Sequence, residues 1–72
     1  MNNNFYKNLG LRIKAVRKKK KLTQQQLADK ISKGLNFTGK IEVAYSKPSL
    51  DTLIEIADAL DITVSELTNF TR

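Results

Sequence analysis

Residues 22–28 read Leu-Thr-Gln-Gln-Gln-Leu-Ala, and this stretch contains the clearest helix start in the chain. The hydroxyl of Thr23 can accept a hydrogen bond from the backbone N–H of Gln26, while the Gln26 side chain can reach back to the backbone of Thr23. Leu22 before this capping box and Leu27 inside the helix can pack on each other as a hydrophobic staple. The stretch therefore predicts a helix that begins directly after Thr23.

The remaining helices follow from caps and apolar spacing. A second capping box stands at residues 63–66, and Ser49 after Pro48 can cap another helix. Apolar residues also recur at helical spacing over residues 8–19 and 36–44. A strand over residues 38–45 fits the composition but would have no partner strand. We therefore predict an all-α fold of five short helices.

Length and composition limit the domain organisation and the chemistry. Seventy-two residues predict a single domain over residues 1–72, with residues 1–7 as an N-terminal extension. The chain has no histidine and no cysteine, which excludes the usual zinc sites and the Ser-His and Cys-His nucleophile pairs. Its acidic residues are scattered, and it has no phosphate-binding loop. We expect no enzyme activity, no metal and no cofactor.

The charge distribution points to a polyanionic partner. The chain carries 13 basic and 7 acidic residues, a net charge of +6. Residues 1–48 carry +10, from twelve Lys/Arg and two acids, whereas residues 49–72 carry −4, from one Arg and five acids. A basic face with a separate acidic back is typical of nucleic-acid binding. Because no apolar run approaches 18 residues and no signal peptide is visible, we expect no membrane span and a cytoplasmic protein.

Residues 24–44 have the predicted layout of a helix-turn-helix, which is a short helix, a turn and a second short helix. An ordered series over about residues 9–68 resembles the phage-repressor (Cro/cI, XRE) type of helix-turn-helix protein. Its parts are Leu-Gly-Leu-Arg-Ile-Lys at 9–14, Arg17, the stretch at 22–28, Ile-Glu at 41–42, Pro-Ser-Leu-Asp-Thr-Leu at 48–53, and residues 56–67. The resemblance implies a lambda-repressor-like domain in a prokaryotic or phage-encoded protein. It also implies a sequence-specific regulator that binds double-stranded DNA and represses a promoter by occupying it.

The resemblance also implies roles for particular residues. Gln24 matches a glutamine that contacts a phosphate and braces the recognition helix, which is expected near residues 36–44. Arg17 and Glu42 match a structural ion pair that ties helix one to the recognition helix. The full set of expected DNA-binding residues is Gln24, Gln25, Leu35, Asn36, Gly39, Lys40, Tyr45, Ser46 and Lys47.

Two registers of the recognition helix stay open at the level of sequence. A gapless match places Ser32 at the usual glycine of the turn and Lys33 and Thr38 at positions that are usually aliphatic. It also leaves Leu35 and Phe37 facing outward. If the turn is a residue or two longer, Leu35 and Phe37 can enter the core instead.

The expected partners include a second copy of the chain. The related proteins bind two half-sites about one helical turn, roughly 34 Å, apart as symmetric dimers. Val64, Leu67 and Phe70 are most simply core residues, and they are also the expected dimer seam, so both interpretations stay open. The rival interpretation is an antitoxin-like protein-interaction module, because the recognition helix has few polar residues.

Overall fold

The computed structural model describes residues 3–70, with side chains from residue 4 onward. Five helices follow one another: α1 (Asn3–Lys19), α2 (Gln24–Lys30), α3 (Phe37–Glu42), α4 (Leu50–Ala59) and α5 (Val64–Leu67). No strand occurs within the described residues. The all-α prediction with five short helices is confirmed.

One hydrophobic core joins the five helices. Its buried members come from α1, α2, α3, α4 and α5: Leu9, Ile13, Val16, Leu27, Ile41, Ile56, Ala57, Leu60 and Leu67. No helix contributes more than three of these buried residues, and α2 to α5 are short enough to be marginal by themselves in water. The helix-turn-helix therefore depends on α1, α4 and α5 for its stability.

The predicted caps are present at the starts of three helices. Thr23 and Thr63 each form both hydrogen bonds of a capping box, with Gln26 and Glu66 respectively. The Ser49 hydroxyl accepts a hydrogen bond from the backbone N–H of Thr52 at 3.1 Å. These contacts span only three residues, which is why the sequence alone predicts them.

Helix α1 begins five residues earlier than the sequence predicts. The expected N-terminal extension at residues 1–7 is therefore wrong for residues 3–7, which form the first turns of α1. Met1 and Asn2 lie outside the described residues. The Phe5 ring packs 5.6 Å from the Phe70 ring, centroid to centroid, and 5.2 Å from the Tyr6 ring. Packing against the far end of the chain holds this part of α1, and local patterning does not reveal it.

Helices α1 to α4 all end without glycine. The residue after each C-cap is left-handed, with φ between 58° and 63°, at Lys21, Ser32, Ala44 and Asp61. Each such residue and its successor donate backbone hydrogen bonds into the last turn of the preceding helix, as in a Schellman motif. A left-handed conformation costs a non-glycine residue about 1–2 kcal/mol. All four helix ends therefore carry backbone strain.

The glycine at position 10 lies inside α1 and allows a close helix contact. A Cβ atom there would lie 2.7 Å from the carbonyl oxygen of Ile41 and closer still to that of Glu42. Both distances are too short for a real side chain. Gly10 thus lets α1 touch the backbone of α3 directly and fixes the position of α3.

Candidate DNA-binding surface

The turn between α2 and α3 adopts the gapless register. Ser32 takes the left-handed conformation that usually favours glycine there, with φ 58°. Thr38 occupies the buried position, and its hydroxyl donates a hydrogen bond to the backbone carbonyl of Gln24 at 2.9 Å. Leu35 is 76% exposed, so its expected entry into the core under the longer turn is wrong. Phe37 packs against the core after all, because it starts α3 on the inner side.

A buried ion pair ties α3 to α1. Arg17 Nε donates to Glu42 Oε2 at 2.6 Å, and Arg17 Nη2 donates to Glu42 Oε1 at 3.1 Å. Arg17 Nη1 also donates to the carbonyl of Leu22 at 2.8 Å, directly before α2. Both side chains of the pair are almost fully buried. One guanidinium therefore fixes the relative positions of α1, α2 and α3.

Gln24 joins the same network at the start of α2. Its side-chain Nε2 donates to Glu42 Oε1 at 3.0 Å, so it braces α3 as expected. An amide nitrogen carries two hydrogens, and one of them serves Glu42. The second is available to a ligand at the exposed side of Gln24.

The outward side of α3 presents a mixed polar and apolar surface. Asn36, Gly39, Lys40 and Val43 follow one another at helical spacing and line a shallow depression of about 420 Å³ with Gln24 and Tyr45. Asn36 stands at the N-cap position, but its side chain makes no capping hydrogen bond. Val43 is 74% exposed, and sequence reasoning missed it. Its spacing of seven residues from Asn36 is the signal that could have placed it on this face.

The loop after α3 carries the other expected phosphate-contacting residues. The backbone N–H groups of Tyr45 and Ser46 both donate to the carbonyl of Lys40, which closes the loop over the end of α3. The Lys40 ammonium lies 5.9 Å from the centroid of the Tyr45 ring. The Lys47 ammonium lies 5.3 Å from the Tyr6 ring of α1, a contact that no sequence signal reveals. Cation–π contacts of this kind restrain both lysines at the surface.

Gln25 lies at the edge of this surface, where it lines a small cavity of about 120 Å³ with Leu35, Asn36 and Gly39. It is exposed on α2, and its Nε2 donates to Asp29 Oδ1 at 2.8 Å, one turn along the same helix. Its expected DNA contact stays a prediction.

The expected dimer seam needs a correction at Leu67. Leu67 has no exposed surface and belongs to the core, so it cannot form a seam with a second chain. Val64 and Phe70 are half-buried against the same core. Helix α5 is only four residues long; Ser65 and Glu66 in its middle are exposed, and Leu67 at its end closes the core. On α4, the large apolar side chains of Leu50 and Ile54 are exposed.

The back of the protein is acidic. Asp51, Glu55 and Asp58 are exposed on α4. At the start of α5, the backbone N–H of Thr63 donates to the Glu66 carboxylate and lowers its pKa below the usual value near 4.5. The described residues include no group of three or more acidic, His or Cys side chains placed to bind a metal together. None of the helices within residues 3–70 combines the length and hydrophobicity that crossing a membrane requires.

Comparison with known proteins identifies the family. The helix-turn-helix family model matches residues 13–67. The chain is 48% identical over 59 residues to the immunity repressor protein of Bacillus phage phi105, covering 82% of this chain and 41% of that protein. It is 42% identical over 45 residues to the cryptic phage CTXphi transcriptional repressor RstR of Vibrio cholerae, covering 62% of this chain and 40% of that protein. The chain thus spans less than half the length of these two curated relatives.

A solved structure has the same arrangement of helices. The restriction-modification controller protein C.AhdI from Aeromonas hydrophila superposes with a TM-score of 0.83 at 31% identity. The match covers 86% of this chain and 94% of that chain. The family is one of DNA-binding domains and not of enzymes. With the family model covering most of its length, the chain belongs to the phage-repressor (Cro/cI, XRE) type of helix-turn-helix DNA-binding family.

Proposed function

We propose that this protein is a sequence-specific transcriptional regulator that binds double-stranded DNA and represses a promoter by occupying it. It would be encoded by a bacterium or a phage and act in the cytoplasm. The observation that carries the proposal is the exposed face of α3, held in place by the buried contacts of Arg17, Gln24 and Glu42. A helix with one buried, braced side and one open side can enter the major groove without changing its own packing.

Base reading in this proposal falls to the residues around the start and middle of α3. Asn36 can form two hydrogen bonds with an adenine, and Lys40 can donate to a guanine, each pair discriminating by about 1–3 kcal/mol. Leu35, exposed two residues before α3, can contact the methyl group of a thymine. Gly39 leaves room for the groove edge between Asn36 and Lys40.

Phosphate contacts in this proposal fall to Gln24 and the loop of Tyr45, Ser46 and Lys47. The second amide hydrogen of Gln24 can reach a phosphate while the first stays on Glu42. Contacts of this kind position the protein but carry no sequence information.

A symmetric dimer is part of the same proposal. One copy of α3 reads only a few base pairs, and two copies about one helical turn apart would double the contact. Val64 and Phe70 keep partly exposed surface for such a seam, whereas Leu67 does not.

The test is a titration against the DNA upstream of the protein's own gene and against a scrambled duplex of equal length, at several salt concentrations. We expect specific binding to exceed non-specific binding by about 10³-fold or more at moderate salt. Replacing both Asn36 and Lys40 by alanine should reduce specific affinity more than non-specific affinity. The matched control is Lys30→Ala, since Lys30 lies beside Glu55 and Asp58 and away from α3. Equal losses on both duplexes would contradict the assignment of base readers.

A second candidate function is an antitoxin-like protein-interaction module. It is favoured by the exposed apolar side chains on the same face, with Leu35 at 76%, Val43 at 74% and Tyr45 at 78% exposure. Contiguous exposed apolar surface is typical of protein contacts. Equal, salt-sensitive binding to both duplexes would favour this candidate over the regulator.

A further inference from the structure

A groove separates α1 from the end of α3, next to the face proposed to read bases. It has a volume of about 360 Å³ and is lined by Lys7, Leu11, Lys14, Gln24, Glu42 and Val43. Lys7, Leu11 and Lys14 lie on one side of α1 because they are four and three residues apart. Lys7 belongs to this side only because α1 begins at Asn3.

The groove continues the DNA-facing surface without a break. Gln24 and Val43 line both this groove and the depression that contains Asn36 and Lys40. The close backbone contact at Gly10 brings the neighbouring Leu11 against the end of α3. A ligand that occupies the face of α3 would therefore extend directly into the groove.

The charges of the groove fit an anionic ligand. Lys7 and Lys14 are both exposed, and Arg17 and Glu42 form the one ion pair among residues 3–70. The Glu42 carboxylate is already bound by Arg17 and Gln24 at the bottom of the groove, so it does not neutralise the two lysines. Seven residues of helix separate Lys7 and Lys14 by about 10 Å along the helix axis, so their ammonium groups can reach two different phosphates.

We propose that this groove binds the sugar-phosphate backbone of DNA beyond the bases that α3 contacts, with Lys7 and Lys14 each neutralising one phosphate. Leu11 and Val43, 61% and 74% exposed, would face the apolar side of the deoxyribose. The inference rests on the proposed DNA-binding function and extends the footprint of each copy along one strand. Because phosphates carry no sequence information, the groove adds affinity and leaves specificity unchanged.

The test is the salt dependence of binding. Wild type, Lys7→Ala, Lys14→Ala and the double variant are titrated by fluorescence anisotropy against a selected specific duplex and a mixed-sequence duplex. Each lost phosphate contact should reduce the slope of log K against log salt by about 0.9, so the double variant should lose about 1.8. Raising the salt from 50 to 200 mM weakens binding of both proteins, and the fold-loss of affinity should be about 12 times smaller for the double variant than for wild type. The ratio of specific to non-specific affinity should not change.

The controls separate this inference from the function on which it rests. Lys30→Ala removes the same charge on another side of the protein and should keep the wild-type slope, as should Lys14→Arg, which keeps the charge. Thermal melting of each variant checks that it stays folded. An unchanged slope in the double variant, with wild type binding DNA normally, would overturn the groove assignment alone. A wild-type protein that binds neither duplex would overturn both proposals.

A second copy of the chain is the competing occupant. The mass of the wild type and of Leu11→Ser in solution, measured without DNA, tests for it. A dimer that Leu11→Ser abolishes would assign the groove to that contact and overturn the phosphate site. A mass that Leu11→Ser leaves unchanged agrees with the DNA assignment.

Discussion

Replacing Glu42 by glutamine should destabilise the protein by about 3–5 kcal/mol, because a buried guanidinium would lose its counter-charge. The Glu42 carboxylate accepts two hydrogen bonds from Arg17 and one from Gln24. A glutamine of nearly the same size has a single acceptor oxygen and would point an N–H₂ group at one of these donors. The cost is therefore electrostatic, and no cavity contributes to it.

The magnitude is large against the whole stability of the chain. At roughly 0.05–0.15 kcal/mol per residue, a domain of this length is stable by about 4–11 kcal/mol. The single variant should thus lose about a quarter or more of its stability. Replacing Arg17 by methionine and Glu42 by leucine together removes both charges. We expect this double variant to be more stable than Arg17→Met alone or Glu42→Leu alone, each of which leaves one buried charge unpaired.

Urea unfolding followed by far-ultraviolet circular dichroism measures all of these variants. Arg12→Ala is the matched control, since Arg12 is also on α1 and bonds to another helix, at the carbonyl of Glu66, but in an exposed position. We expect that control to lose about 1 kcal/mol or less. A loss below about 1 kcal/mol for Glu42→Gln, or a double variant no more stable than the singles, would refute the reasoning from a buried charge pair.

Three further predictions test the packing, the helix ends and the capping charge. Gly10→Ala should cost about 1–3 kcal/mol in urea unfolding, despite the better helix propensity of alanine, because its Cβ would overlap the backbone of α3. Gly34→Ala, with no atom near its added Cβ, should be close to neutral, and similar losses at both glycines would argue against the close helix contact. Ala44→Gly should stabilise the folded protein by about 1 kcal/mol, or about 4–8 °C in Tm, because glycine adopts the left-handed conformation of residue 44 without strain. The control Ala15→Gly, in the exposed middle of α1, should destabilise the protein by a similar amount. The pKa of Glu66 is lower in the folded state than its ordinary value near 4.5. The charged carboxylate therefore stabilises the folded protein at pH values above 4.5, and this stabilisation is lost as the pH falls through the folded-state pKa. The stability difference between wild type and Glu66→Gln should therefore shrink from neutral pH to about pH 3, and a constant difference in urea midpoints would contradict this.

Features that depend on a few neighbouring residues were predictable. The capping boxes at Thr23 and Thr63 and the Ser49 cap each join groups three residues apart. The helical spacing of Leu9, Ile13 and Val16 likewise marks the buried side of α1 from the sequence alone. The family followed from the order of such signals along the chain.

Features that depend on distant contacts were not predictable. The early start of α1 relies on Phe5 packing against Phe70 at the other end of the chain. The burial of Leu67 depends on α5 closing the core, and apolar spacing alone cannot separate a core side chain from a dimer seam. The ends of α2 and α3 were hard to place from the sequence, because Ser32 and Ala44 adopt the left-handed conformation after the helix, where glycine is the usual signal.

The sequence by itself therefore determined the helical class and the capped starts of α2, α4 and α5, since caps and periodicity are local. The order of its motifs indicated the family, and the resemblance to that family implied the pairing of Arg17 with Glu42. The tertiary structure alone decided the register of α3 and the groove between α1 and the end of α3. The physical reason is that two contacts form only when α1, α2 and α3 pack together: the Thr38 hydroxyl donates to the carbonyl of Gln24, and the backbone of α3 lies against Gly10.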